Sequence, residues 1–151
     1  QFVHSPLHPG MRATPSRAAH LPNPAIRLAR PIRVRLRLDD GSLRVSLGIR
    51  ETGTTAGVGQ DGGTLGTIEW VGATGQVSMA PQGVLLTGQP GVWQTLVFDP
   101  VGDPVLGFTG DGVLSTPTGR GTLEHLAFSS TGGAGPFTVY IDDVEQLCET
   151  P

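Results

Sequence analysis

IRVRLRLDDGSLRVSLGIR, residues 32 to 50, carries two runs of strict alternation. Ile32, Val34, Leu36 and Leu38 alternate with Arg33, Arg35 and Arg37, and Leu43, Val45, Leu47 and Ile49 alternate with Arg44, Ser46 and Gly48. A period of two sends successive side chains to opposite faces of a sheet, so both runs read as half-buried strands. Asp40-Gly41 between them is a type I′ turn signal, which predicts a hairpin. The predicted pairing sets Leu38 opposite Leu43, Leu36 opposite Val45, Val34 opposite Leu47 and Ile32 opposite Ile49.

The polar face of that hairpin would gather Arg33, Arg35, Arg37 and Arg44, with Arg37 directly across from Arg44. Like charges facing each other on a ladder repel, so this patch is expected to face anions. The acidic half of the same fold, a neighbouring copy or an anionic ligand would each serve. Charge is in fact divided along the whole chain. Residues 1–50 hold nine arginines against Asp39 and Asp40, a net of +7, while the remainder has only Arg120 against eleven acidic residues, a net of −10.

The chain of 151 residues, with 23 Gly and 13 Pro, has room for one domain and favours many short strands joined by turns. Strand-like pieces recur at GTIEWVG (66–72), QVSMA (76–80), GVLLTG (83–88) and VWQTLVFD (92–99), then at 104–108, 112–115, 121–129 and 136–147. Such spacing predicts an all-β sandwich of about eight to ten antiparallel strands. Stretches 51–66 and 130–136, made of Gly, Thr, Ser and other small residues, read as loops at its ends. No apolar run is long enough to insert in a membrane as a helix.

Residues 1–25 contain five prolines, three histidines and two arginines, with no acid and no sustained period. They read as an extended arm that, taken alone, buries too little apolar surface to offset its ordering entropy. The expected organisation is therefore an arm over 1–31 and a sandwich over 32–151. Within the arm, Phe2, Val3 and Leu7 are the apolar residues suited to packing on another surface.

GVWQTLVFDP (91–100), GTLEHLAFSSTGGAGPFTVYIDDVEQL (121–147) and LDDGSLRVSLGIRETG (38–53) resemble the galactose-binding-like jelly rolls, which include many carbohydrate-binding modules. The resemblance runs from about 32 to 147 and implies a jelly-roll sandwich. It also implies that Trp93 packs in the core and that a glycan contact would be drawn from Trp70 and Tyr140. Trp70 shares a strand face with Ile68 and so also reads as core, whereas Tyr140 lies on the strand face opposite Phe137, Val139 and Ile141. A structural calcium would fall at Asp142 and Asp143. Two adjacent strand residues share a face only at a bulge, and the alternation does break there, so the competing expectation is a bulge with a solvated acidic pair.

Chemistry is sparse. His4, His8, His20 and His125 have no ligand spacing on a helix or finger, Cys148 is alone, and neither a nucleophile elbow nor a phosphate loop occurs. Glu124 with Asp142 or Asp143 would form a carboxylate pair for glycoside hydrolysis if their strands were neighbours. Nucleic acid is an unsuitable partner for a body of this acidity. The sequence therefore points to a non-enzymatic, secreted structural subunit, extracellular or at the cell surface, with no cofactor apart from the calcium in question. Its partners would be other copies of itself, joined when the arm of one packs on or adds a strand to the next. The rival expectation is a carbohydrate-binding module of a larger secreted protein, with a polysaccharide as partner.

Overall fold

The computed structural model describes residues 24–51, 66–77, 80–131 and 136–148, and the backbone of residues 2–6. Its strands are β1 (Phe2–Pro6), β2 (Ala25–Arg27), β3 (Ile32–Leu38), β4 (Ser42–Glu51), β5 (Ile68–Val71), β6 (Gln76–Val77), β7 (Ala80–Pro81), β8 (Val84–Thr87), β9 (Gln94–Phe98), β10 (Val105–Gly107), β11 (Arg120–Ser130) and β12 (Val139–Gln146). The protein is all-β, and the strand pairs among the described residues are antiparallel. Twelve strands occur among the described residues, compatible with the expected eight to ten once β6 and β7, of two residues each, are set apart.

Those long strands are β4 and β11, joined over nine paired positions from Gly121↔Glu51 to Ser130↔Leu43. The far edge of β4 is shared by β5 and β8, and the far edge of β11 by β1 and β2; β10 extends the sheet beyond β5. A second sheet runs β12-β3-β9. Buried residues from both sheets meet in one core, with Ile32, Val34, Leu36, Leu38 and Phe98 on one side and Leu43, Val45, Leu47, Ile49, Val71, Leu86, Leu123 and Leu126 on the other.

The predicted hairpin is therefore corrected. β3 and β4 are strands as expected and their apolar faces point inward, yet they belong to different sheets, and Asp39–Gly41 carries the chain across the core from one to the other. Either arrangement would bury the same leucines and valines. The observed one leaves both edges of each strand free to pair, β3 with β9 and β12, β4 with β11, β5 and β8. It also removes the Arg37/Arg44 juxtaposition by placing the two on different sheets. Gly41 fits the corner through a left-handed φ of 74°. A Cβ there would also lie 2.6 Å from the Phe137 ring.

The expected boundary near residue 31 moves as well. β2 pairs with β11 from Ala25↔Thr122 to Arg27↔Arg120, and Ile26 and Leu28 are core residues. The Gln146 side chain fastens this segment to the other sheet: its Oε1 accepts from Arg27 N at 2.9 Å and its Nε2 donates to Arg27 O at 2.8 Å. A side-chain amide thus supplies Arg27 with the paired donor and acceptor that a neighbouring strand would. β1 also joins the sheet, from Phe2↔Ser129 to Pro6↔His125. Leu7 and the rest of the arm to residue 23 lie outside the described residues, as do the side chains of Phe2 and Val3 and loop residues 52–65 and 132–135.

A smaller apolar cluster occupies the opposite face of the larger sheet. Trp70 packs there against Phe108 with ring centroids 4.9 Å apart, and His125 lies 5.8 Å from Trp70. Gly48 makes room for both rings, since a Cβ would sit 2.9 Å from Trp70 Cζ3 and 2.8 Å from His125 Cβ. Consequently Trp70 is fully buried. This is the core position that its shared strand face with Ile68 suggested, and it excludes Trp70 as a glycan platform.

Candidate functional site

The outward face of β12-β3-β9 brings together most of the residues singled out from the sequence. Ladder register arranges them in rows across the three strands. Val97, Arg33 and Glu145 form the first row and Thr95 and Arg35 begin the second, which Asp142 completes; in the third, Tyr140 is paired with Arg37 on one side and Trp93 approaches from the other. Each row has an arginine at its centre because β3, the middle strand, alternates leucine or valine inward with arginine outward.

The arginines meet anions of the same chain, two from its acidic part beyond residue 50 and the third, Asp39, from the turn that follows β3. Arg33 pairs with Glu145, Arg35 Nη1 lies 3.1 Å from Asp142 Oδ2, and Arg37 Nε lies 3.1 Å from Asp39 Oδ1. Asp39 also accepts from Gly91 N at 2.9 Å, which pins the loop before β9. Arg44 does not join this patch, because it projects from the other sheet and donates to Gly83 O at 3.0 Å.

Two rings flank the arginines. The Arg37 guanidinium carbon is 4.0 Å from the Tyr140 centroid and 5.5 Å from that of Trp93, and Arg35 is 5.2 Å from the same Trp93 ring. These are cation–π distances. Tyr140 is exposed, on the side of β12 expected for it. Trp93 departs from expectation: it is half-buried on the outward face and not in the core. The sequence did hold the signal. Counting in twos back from Phe98, which is in the core, places Val97, Thr95 and Trp93 on the opposite side.

β12 contains the bulge that the broken alternation suggested, for its register with β3 shifts between Ile141 and Val144. Asp142 and Asp143 are both exposed there, and Asp142 is engaged by Arg35. Among the described residues, no group of three or more His, Cys, Asp or Glu is placed to hold a metal ion. The bulge and the exposed acidic pair are those that the broken alternation suggested. Glu124 is not brought to Asp142 or Asp143, since β11 and β12 lie in different sheets and Glu124 Oε1 accepts from Arg50 Nε at 3.0 Å.

Other carboxylates went unnoticed in the sequence and hold the loop after β10 over one end of the core. Glu51 accepts from Thr67 Oγ1 at 2.9 Å and from Ser115 N, and Glu69 Oε2 accepts from Gly112 N at 3.1 Å. Glu51 borders a cleft of about 310 Å³, lined also by Thr67, Gly110, Asp111, Val113 and Ser115. Glu69 is buried, and desolvation raises its pKa above the ordinary carboxylate value; the Gly112 amide opposes the rise. A carboxyl that binds its proton more tightly in the folded state adds stability below about pH 4.3, its unfolded range, and that stability is lost as pH rises through the raised value. Glu69→Gln should therefore gain on the parent with increasing pH. Thermal unfolding at pH 4 and pH 8 checks this: the difference in Tm, variant minus parent, should be larger at pH 8.

No family model, curated protein or solved structure matches this chain.

Proposed function

We propose that the protein is a non-enzymatic structural subunit, extracellular or at the cell surface, that assembles with copies of itself by exchanging β1. The observation carrying this reading is the tandem placement of β1 and β2 on one edge of β11. β1 ends with Pro6 opposite His125, and β2 begins with Ala25 opposite Thr122. Three strand steps separate these positions on β11, about 10 Å. Yet eighteen residues, 7–24, connect the two strands. A connection of that length can reach about 60 Å when extended.

Connections this much longer than their span are uncommon in compact domains. In this chain the excess lets β1 reach the β11 of a neighbour and form the same five backbone pairs there. The exchange conserves contacts, so concentration decides between the two placements. Each copy would give its strand to one neighbour and receive one from another, and that heterologous contact makes rings or filaments. Charge favours the encounter, because residues 1–24 contain no acid whereas the chain from residue 51 has a net charge of −10.

Two measurements test this. Light scattering should show the intact chain growing in mass with concentration, less so at high salt, while a chain beginning at Pro24 stays monomeric. A Val3→Cys/Phe128→Cys pair, made with Cys148→Ser, places the new cysteines at paired register positions. After oxidation at high concentration it should run as a ladder on a non-reducing gel; a single crosslinked monomer would overturn the exchange.

A further inference from the structure

Arginines of the larger sheet are short of anions at one place. Arg33, Arg35, Arg37 and Arg50 each meet an acid, and Arg44 donates to a backbone carbonyl. Among the described residues, the side chains of Arg27 and Arg120 have no such partner. They are also directly opposite each other, Arg27 on β2 and Arg120 on β11. Residues paired in this way on an antiparallel ladder share a face with Cβ atoms about 4.5–5.5 Å apart, so two positive charges are held side by side. Ile26, next along β2, is in the core, which puts both arginines on the outward face, where both are exposed. We propose that this pair is a binding site for a doubly charged tetrahedral oxyanion: phosphate, free or as the end of a monoester.

The backbone beneath the pair is tied down. Gln146 holds both the N–H and the carbonyl of Arg27, Leu28 N donates to Gly119 O at 2.9 Å, and Arg120 N donates to Thr116 Oγ1 at 3.0 Å. Arg50 lies one row further in, opposite Thr122, but its guanidinium is engaged by Glu124 and Gly66 O. Glu124 thus balances Arg50 and leaves the charges of Arg27 and Arg120 uncompensated. Ligand chemistry follows from a count of oxygens. A carboxylate has two, enough for one guanidinium fork, and it leaves the second arginine facing its like charge. Phosphate has oxygens for both forks and about two negative charges to set against two positive ones. A nucleic-acid strand needs a track of cations where this face offers a pair, and the net −10 beyond residue 50 repels it.

Thermal unfolding of the intact chain at constant ionic strength, in chloride, acetate, inorganic phosphate and phenyl phosphate, provides the test. A ligand that binds the folded state alone raises Tm with its concentration. Phosphate also stabilises proteins in general through its exclusion from their surface, and comparison with single-arginine variants removes that share. The parent should gain more from phosphate than Arg27→Gln or Arg120→Gln, each of which should show an apparent affinity lower by about tenfold or more. Arg33→Gln, on the other sheet, should match the parent. In chloride the order reverses: Arg27→Gln and Arg120→Gln should each be slightly more stable than the parent, because one of two facing like charges is gone. The site is overturned by a phosphate gain no larger in the parent than in these two variants, or by a loss with Arg33→Gln equal to theirs. Acetate as effective as phosphate would overturn the tetrahedral reading, and lower stability of both variants in chloride would show that the arginines are not in conflict. Phenyl phosphate identifies the source of the anion: a gain equal to that from phosphate supports an ester, and an affinity about tenfold weaker supports the free anion. β1 takes no part in the site, so binding and strand exchange stand or fall separately.

Discussion

Trp70→Ala is expected to destabilise the protein by about 3–5 kcal/mol, the range for removing a large buried aromatic side chain. The ring is fully buried in a cluster outside the main core, against Phe108, His125, Ala73 and Ala127. Gly48 lies beneath it with no side chain to move into the space. The hole left by the indole would thus stay largely unfilled, and the cost should fall near the top of that range. Domains are stable by about 5–15 kcal/mol in all, so a large part of the total is at stake. Urea unfolding of the variant beside Trp93→Ala checks it. Trp93 is half-buried on an outer face, and its loss should cost well under half as much. Equal costs would show that the outer cluster is not packed as described.

Leu36→Ala should be nearly as damaging, by about 2–5 kcal/mol. Leu36 is fully buried at the middle of β3, with Gln94 beside it on β9 and Ile141 on β12. A domain of this size loses about 2–4 °C of Tm for each kcal/mol, so a fall of about 5–15 °C is expected in a thermal scan. The control is Val97→Ala on the same sheet. Val97 is 52% exposed and should shift Tm by no more than a degree or two. A small shift for Leu36→Ala would mean that the two sheets do not close over this position.

The comparison of these residues also shows how far the sequence could be read. Leu36 as a buried residue and Arg35 as its outward neighbour both followed from alternation. The bulge at Asp142 and Asp143 followed from its failure. Trp93 was legible by the same count, but the resemblance to jelly-roll modules pointed to the core and the parity from Phe98 pointed outward. Parity was right. Ile26 and Leu28 were hidden because a three-residue strand is too short to display a period, and the prolines around it suggested an arm. Glu69 was illegible: nothing local distinguishes a buried carboxylate from a solvated one until the loop carrying Gly112 is known to lie over it.

Of the candidate face, its central column was written in residues 32–38 and its rings were present as letters. Their assembly was not written anywhere nearby. Trp93 comes from the loop just before β9 and Tyr140 from β12, both far along the chain from Arg37. The acids that meet Arg33 and Arg35 are equally remote in sequence.

By itself, then, the sequence determined which side of β3 and β4 faces inward, since a period of two fixes the side whatever the strand pairs with. It determined the all-β class and that the chain turns at Asp40-Gly41. Only the tertiary structure decided which sheet each strand joins. Adjacent strands with matched apolar faces bury the same side chains as a hairpin or as opposite walls of a core. The choice falls to the long-range partners that fill their edges, here β11 for β4 and β9 with β12 for β3, and alternation carries no information about those. From that choice came the separation of Arg44 from Arg33, Arg35 and Arg37, and the anions and rings that the three now face.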